Sequence, residues 1–211
     1  PASQVKKTKE YLSRFSMISV REKQGAEIVE KLTGKKAEVC CDPTVLTDRK
    51  RWDELSGACP FVSEKYIFCY FIGNNPSQRE FAKKLAQKTD CKILAVKHID
   101  EYIKSDDDFG NIDYLEVGPK EFVNFIRYAT YVCTDSFHGT IFSIMYNKTF
   151  FTFKRFSDSQ KSSMNSRVKN ILSIVGLSNR LFENSITPDA ALAYQVDWSD
   201  VNKRLNDFRK S

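Results

Sequence analysis

The chain has only two histidines, His98 and His138, and none of its six cysteines stands in a Cys-x-x-Cys pair. A structural zinc site needs several such ligands close together, so that class is set aside. Long apolar runs are also missing: nothing approaches the roughly 20 residues that span a bilayer. Residues 1–10 are polar and basic, without the apolar centre of a signal peptide. Neither Gly-x-Gly-x-x-Gly nor a Walker lysine occurs, which removes two common phosphate cradles. There is no repeat or low-complexity segment, and no basic stripe with interleaved aromatics to mark a nucleic-acid surface. The sequence begins without a methionine and runs through a basic lead-in straight onto a strand, as expected for a piece of a longer protein.

What is present is an ordinary balance for one folded domain: 211 residues, 41% hydrophobic and 28% charged. The net charge of +6, from 33 basic against 27 acidic residues spread along the chain, favours anionic ligands only mildly. Cys40, Cys41, Cys59, Cys69, Cys91 and Cys133 lie mostly in or beside apolar runs. They read as small buried hydrophobes in a reducing cytosol.

Strand-like runs fall at residues 15–20, 37–41, 66–72, 91–96, 113–117, 131–133 and 149–153, with amphipathic helical segments at 21–32, around 51–55, and at 78–88, 120–128, 165–175 and 200–208. This alternation predicts an α/β fold, a three-layer Rossmann-like sandwich with a mostly parallel sheet. Right-handed crossovers then bring Arg21, Asn74, His138 and Arg155 to one edge of that sheet.

The most informative stretch is Tyr131-Val132-Cys133-Thr134-Asp135-Ser136-Phe137-His138-Gly139-Thr140. It reads as a strand, a tight turn and a helix start, with Ser136 as cap and Gly139 allowing backbone to approach a ligand. A Ser-x-His-Gly of this kind is equally a plain capped helix start. Its place at the ligand-binding edge of an open sheet gives His138 a functional reading. Arg21 also falls at a strand-to-helix turn, where a cation opposes the helix dipole unless an anion is bound. Asp42-Pro43-Thr44 reads mainly as a structural turn. The loop at Gly73-Asn74-Asn75 either lines the crevice with backbone N–H groups or is a simple connection. The acidic loop Lys104-Ser105-Asp106-Asp107-Asp108 reads as solvated surface rather than a metal site.

Taken together, Ser19-Val20-Arg21-Glu22, Asp42-Pro43-Thr44-Val45-Leu46, Thr134-Asp135-Ser136-Phe137-His138-Gly139-Thr140 and Met164-Asn165-Ser166-Arg167 resemble the motifs of the polysaccharide pyruvyl transferase family, in the family's order. The resemblance implies the C-terminal half of a two-domain, glycosyltransferase-B-type bacterial enzyme of exopolysaccharide biosynthesis, inactive without its N-terminal half. It implies transfer of a pyruvyl group from phosphoenolpyruvate to a sugar, free or lipid-linked, to form a ketal, in the cytoplasm or at the inner face of the membrane. His138 is then the expected catalytic residue. Arg21, Ser136, Gly139, Thr140, Asn74, Arg155 and Arg167 are expected to bind substrate, and no metal or cofactor is required. A nucleotide-sugar glycosyltransferase and a noncatalytic carbohydrate-binding module are the alternatives that share the architecture.

Overall fold

Each main strand is apolar on both sides because each is covered on both sides. In the computed structural model, which describes residues 2–97, 102–112, 114, 116–156, 165–183 and 185–210, the main sheet has five parallel strands. A helix Ala2–Ser13 (α1) opens the chain, followed by β1 (Ser19–Val20), α2 (Lys23–Thr33), β2 (Glu38–Val39), α3 (Pro43–Leu46) and α4 (Arg49–Ser56). Next come β3 (Tyr66–Tyr70), α5 (Pro76–Thr89), β4 (Lys92–Ala95), α6 (Pro119–Tyr128), β5 (Tyr131–Thr134), α7 (Phe137–Met145) and β6 (Thr149–Phe153). The chain closes with α8 (Asn165–Ile174), β7 (Leu181–Phe182), α9 (Pro188–Leu192) and α10 (Trp198–Lys210).

The main sheet runs in the order β4-β3-β5-β6-β7, every pair parallel. Alternate side chains leave opposite faces. Tyr66, Phe68, Val132 and Phe150 enter one core with Phe125 and Ile126 of α6, Ile144 of α7, Leu172 of α8 and Leu205 of α10. Ile67, Cys69, Cys133 and Phe151 enter the other, against Phe81, Ala82 and Leu85 of α5 and Ala191 of α9. These are the three layers expected from the alternation. The chain leaves β3 to build β4 on one side and returns to place β5 on the other, so the crevice beyond the ends of β3 and β5 is a topological switch point.

Several expectations are corrected. The first two strands are only two residues long each and form a separate parallel pair, Ser19 opposite Glu38 and Val20 opposite Val39. Phe15 and Met17, expected inside the first strand, are 58% and 78% exposed, so no second layer covers them. The basic lead-in is helical: α1 packs on α2, and Lys35 Nζ donates to the carbonyls of Ser13 and Phe15 at 2.9 and 2.7 Å.

At residues 113–117, Asp113 and Leu115 lie outside the described residues, and the rest carry no strand beyond a single bridge from Leu94 to the preceding Ile112. The acidic loop is not simply solvated, because Asp106 is buried against Arg79, Nε to Oδ1 2.6 Å. All six cysteines are free thiols; Cys41, Cys69, Cys91 and Cys133 are buried, Cys40 is half-buried and Cys59 exposed. His98, Met164 and the loop residues 157–161 lie outside the described residues. Among those described, no helix is long and apolar enough to cross a membrane.

Candidate functional site

The turn between β5 and α7 is built from short polar side chains that satisfy the backbone locally. Thr134 Oγ1 donates to the carbonyl of Tyr70 at 2.6 Å, tying β5 to β3, and accepts from the N–H of Ser136 at 3.0 Å. Ser136, extended at φ −89° and ψ 137°, caps α7 by accepting from the Gly139 N–H at 3.3 Å. The Thr140 N–H already bonds to the Ser136 carbonyl. Among the described residues, the N–H groups of Phe137 and His138 are left without a protein partner at the positive end of the helix dipole.

Two of the expected ligand contacts take other roles. A Cβ on Gly139 would lie 2.5 Å from Thr134 Oγ1, so the glycine lets α7 press onto β5 rather than admitting a ligand. Thr140 is fully buried; its hydroxyl donates to the Ser136 carbonyl at 2.9 Å and sits 3.0 Å from Thr152 Oγ1. Gly139 and Thr140 stand behind the site.

In front of it the fold gathers Arg21, Asp42, His138 and Arg167. Arg21 Nη1 donates to Asp42 Oδ2, while Asp42 Oδ1 accepts from the Thr44 N–H at 2.9 Å and caps α3. His138 Nε2 is 4.0 Å from the same Oδ1. The guanidinium carbons of Arg21 and Arg167 each lie 5.7 Å from the centre of the Phe137 ring. Ser166 Oγ donates to Glu22 Oε2 at 2.8 Å, fastening the start of α8 to the turn that carries Arg21. Segments that are distant in sequence thus meet at one helix start.

The ionisable groups gathered there shift one another. Burial pushes Asp42 up, but the hydrogen bonds from Arg21 and Thr44 outweigh it and hold the carboxyl below its ordinary value. For His138, burial lowers the pKa; Asp42 opposes that, and Arg21 and Arg167 add to it, leaving the imidazole below 6.5 and neutral at pH 7. Among the described residues, no group of three or more His, Cys, Asp or Glu side chains is placed to hold a metal ion.

Comparison with known families decides the kinship. The family model for polysaccharide pyruvyl transferase matches residues 2–155. The chain belongs to the polysaccharide pyruvyl transferase family. No curated protein and no solved structure matches it. The matched span of this pyruvyl transferase family member includes Arg21, Asp42 and His138 but stops short of Arg167, which joins them in space.

Asn74 and Arg155 stay outside this cluster as the structure draws it. Asn74 is exposed, and the cap of α5 is its neighbour Asn75, which accepts from the Ser77 N–H at 3.0 Å. The N–H groups of Ile72 and Gly73 are not free to line the crevice, because both donate to the buried Asp135 carboxylate, at 2.7 and 2.9 Å. Arg155 is drawn to the same residue, its Nη2 3.1 Å from the Asp135 carbonyl and 3.6 Å from Oδ1. Asp135 is therefore the organiser of this rim, a role the sequence reading missed.

A cavity of about 410 Å³ opens beside His138 at the switch point. Thr44, Trp52, Tyr70, Ile72, Phe122, Ser136 and Phe142 line it together with the first turn of α6. The sequence reading missed the aromatic residues here; Tyr70, at the end of a strand that feeds the crevice, was the available signal. A larger hollow of about 1110 Å³ lies over α5, away from every family motif residue. Its lysines are partly neutralised in place, Lys84 by Glu80 and Lys88 by Asp189.

Proposed function

We propose that this family member transfers a pyruvyl group from phosphoenolpyruvate to two hydroxyls of a saccharide, forming a ketal. The observation that carries this reading is the convergence of Arg21 and Arg167 at the start of α7, beside a half-exposed His138 held neutral. Phosphoenolpyruvate carries a carboxylate and a phosphate. Two guanidinium forks and the unpaired N–H groups of a helix start suit those two anionic groups. Asp42 keeps the Arg21 fork in place, and Phe137 provides a flat surface beside both guanidinium groups.

In this scheme His138 acts first as a base. A neutral imidazole takes the proton of an attacking sugar hydroxyl, and the donor's methylene carbon gains one proton to become a methyl group. The second hydroxyl displaces phosphate, whose departure carries away the other proton. Two C–O bonds to the sugar form, the C–O bond to phosphate breaks, and no oxidant or reductant is consumed. The arginines and the helix start hold negative charge as it moves onto the leaving phosphate.

The test is a binding titration of the full-length protein with phosphoenolpyruvate, inorganic phosphate and nucleotide sugars, followed by turnover of His138→Ala. Selective phosphoenolpyruvate binding and a loss of about 100-fold or more in transfer, with folding retained, are expected. Binding of a nucleotide sugar with phosphoenolpyruvate ignored would turn the assignment to a glycosyltransferase.

A further inference from the structure

We infer that the cavity beside His138 seats one pyranose ring of the acceptor saccharide, an assignment that rests on the function proposed above. The first support is the construction of its wall. Trp52 meets Phe142 edge to face at 4.9 Å and 89°, Phe142 meets Phe122 at 6.0 Å and 72°, and Phe122 meets Tyr70 at 5.0 Å and 78°. The four rings come from α4, α7, α6 and β3, so each is held by a different element of the fold and by the next ring. Trp52 is fixed further by its indole N–H, which donates to the Thr44 carbonyl at 3.2 Å.

Aromatic rings present negative faces, and the axial C–H groups of a pyranose are the weakly positive surface that packs on them. A flat nucleotide base fits less well, because successive rings along this wall stand 72° to 89° apart and make no parallel slot. The volume of about 410 Å³ lies within the range of small-ligand pockets, about 300–1,000 Å³.

The second support is polar. Among the described residues the Tyr70 hydroxyl has no hydrogen-bond partner; a phenol is a neutral donor at pH 7, and burial only raises its pKa further. Ser136 Oγ accepts from Gly139 and keeps its own proton to donate. A gap in an apolar core needs neither group. A sugar needs both, because its equatorial hydroxyls project from the ring edge when the C–H face is packed.

The third support is continuity with the anion-binding cluster. His138 lines the cavity and also lies 4.0 Å from Asp42, in the cluster of Arg21 and Arg167. A hydroxyl of the seated sugar therefore meets the imidazole that borders the cluster of Arg21 and Asp42.

The experiment uses this 211-residue chain with Trp198→Phe, which leaves Trp52 as its single tryptophan, so its emission reports on the cavity. Methyl galactoside, glucoside and mannoside are titrated with and without phosphoenolpyruvate, and phosphoenolpyruvate and a nucleoside monophosphate are titrated alone. The expected result is a saturable change with at least one glycoside that is not displaced by phosphoenolpyruvate. Tyr70→Phe, which keeps the ring and the fold, should weaken glycoside affinity about fivefold, the scale of one neutral hydrogen bond, and leave phosphoenolpyruvate affinity unchanged. A panel with no glycoside response overturns the inference, as does competition between glycoside and phosphoenolpyruvate or a response to the nucleotide alone. A glycoside response in a protein that ignores phosphoenolpyruvate supports the cavity assignment and overturns the pyruvyl-donor reading.

Discussion

His138 Nε2 lies 4.0 Å from Asp42 Oδ1, close enough to feel the carboxylate charge and too far to hydrogen-bond with it. Arg21 claims the other carboxylate oxygen and so competes with the imidazole for that charge. The state of His138 is set by this contest together with burial, which dominates and keeps the pKa low.

The first prediction is read by NMR titration of the imidazole. His138 should titrate below 6.5, and in Arg21→Gln its pKa should rise, because a cation is removed and Asp42 is released towards the ring. The stability consequence has a definite sign: a histidine whose folded pKa is depressed favours the native state above 6.5 and loses that contribution as pH falls through the folded value. An unchanged or lower pKa in Arg21→Gln would show that Arg21 does not govern the imidazole.

A second prediction concerns Gly139→Ala. The added methyl would stand 2.5 Å from Thr134 Oγ1 and 3.1 Å from Thr134 Cβ, both in the fully buried join between β5 and α7. Overpacking of this kind costs about 1–3 kcal/mol. Urea unfolding of the variant should show that loss, with phosphoenolpyruvate affinity falling as the helix start shifts. A variant as stable as wild type would return Gly139 to a ligand-facing role.

How much of this was legible in the sequence depends on the reach of each interaction. The β5-turn-α7 unit, its Ser136 cap and the position of His138 could be read because strand, cap and helix start are local. The place of Arg21 at a turn was local too. The reason for Gly139 was not legible, since it depends on how closely the helix lies on Thr134. Nor was the capture of the Ile72 and Gly73 N–H groups by Asp135, which joins positions more than 60 residues apart. Helix α1 carried no apolar stripe to reveal it, with Val5 and Tyr11 both exposed. β7, two residues long, has too few positions to show a period.

The buried pair of Arg79 and Asp106 gives a third prediction. Arg79 Nε bonds Asp106 at 2.6 Å, and Nη1 donates to the carbonyls of Gly73 and Asn75 at 3.2 and 3.3 Å. The pair therefore anchors the loop after β3 and the 3₁₀ turn at Lys104–Asp106 together. Asp106→Ala would leave the guanidinium buried without its counter-charge, at about 3–5 kcal/mol. Chemical denaturation measures it directly; a loss near that of an exposed ion pair would mean that Arg79 finds another partner or water.

The last prediction separates charge from geometry at Arg21. One of its nitrogens is committed to Asp42, itself 4% exposed and held by the Thr44 N–H, so the guanidinium is tethered at one end while its other donors stay in a fixed fork. A lysine preserves the charge and can still reach the carboxylate. It cannot satisfy Asp42 and present two parallel N–H groups to an anion at once, because its ammonium is a point. Losing one charge-assisted hydrogen bond of about 1.5–3 kcal/mol weakens binding roughly ten- to hundredfold. Calorimetric titration of Arg21→Lys with phosphoenolpyruvate should therefore give a Kd raised by that factor, while thermal unfolding stays close to wild type because Asp42 remains paired. Arg21→Gln should bind phosphoenolpyruvate more weakly still and lose stability, as it leaves a buried carboxylate without a cation. Equal affinities for wild type and Arg21→Lys would mean that Arg21 acts only as a field, or only as the partner of Asp42, and would move the donor's anionic groups onto Arg167 and the start of α7.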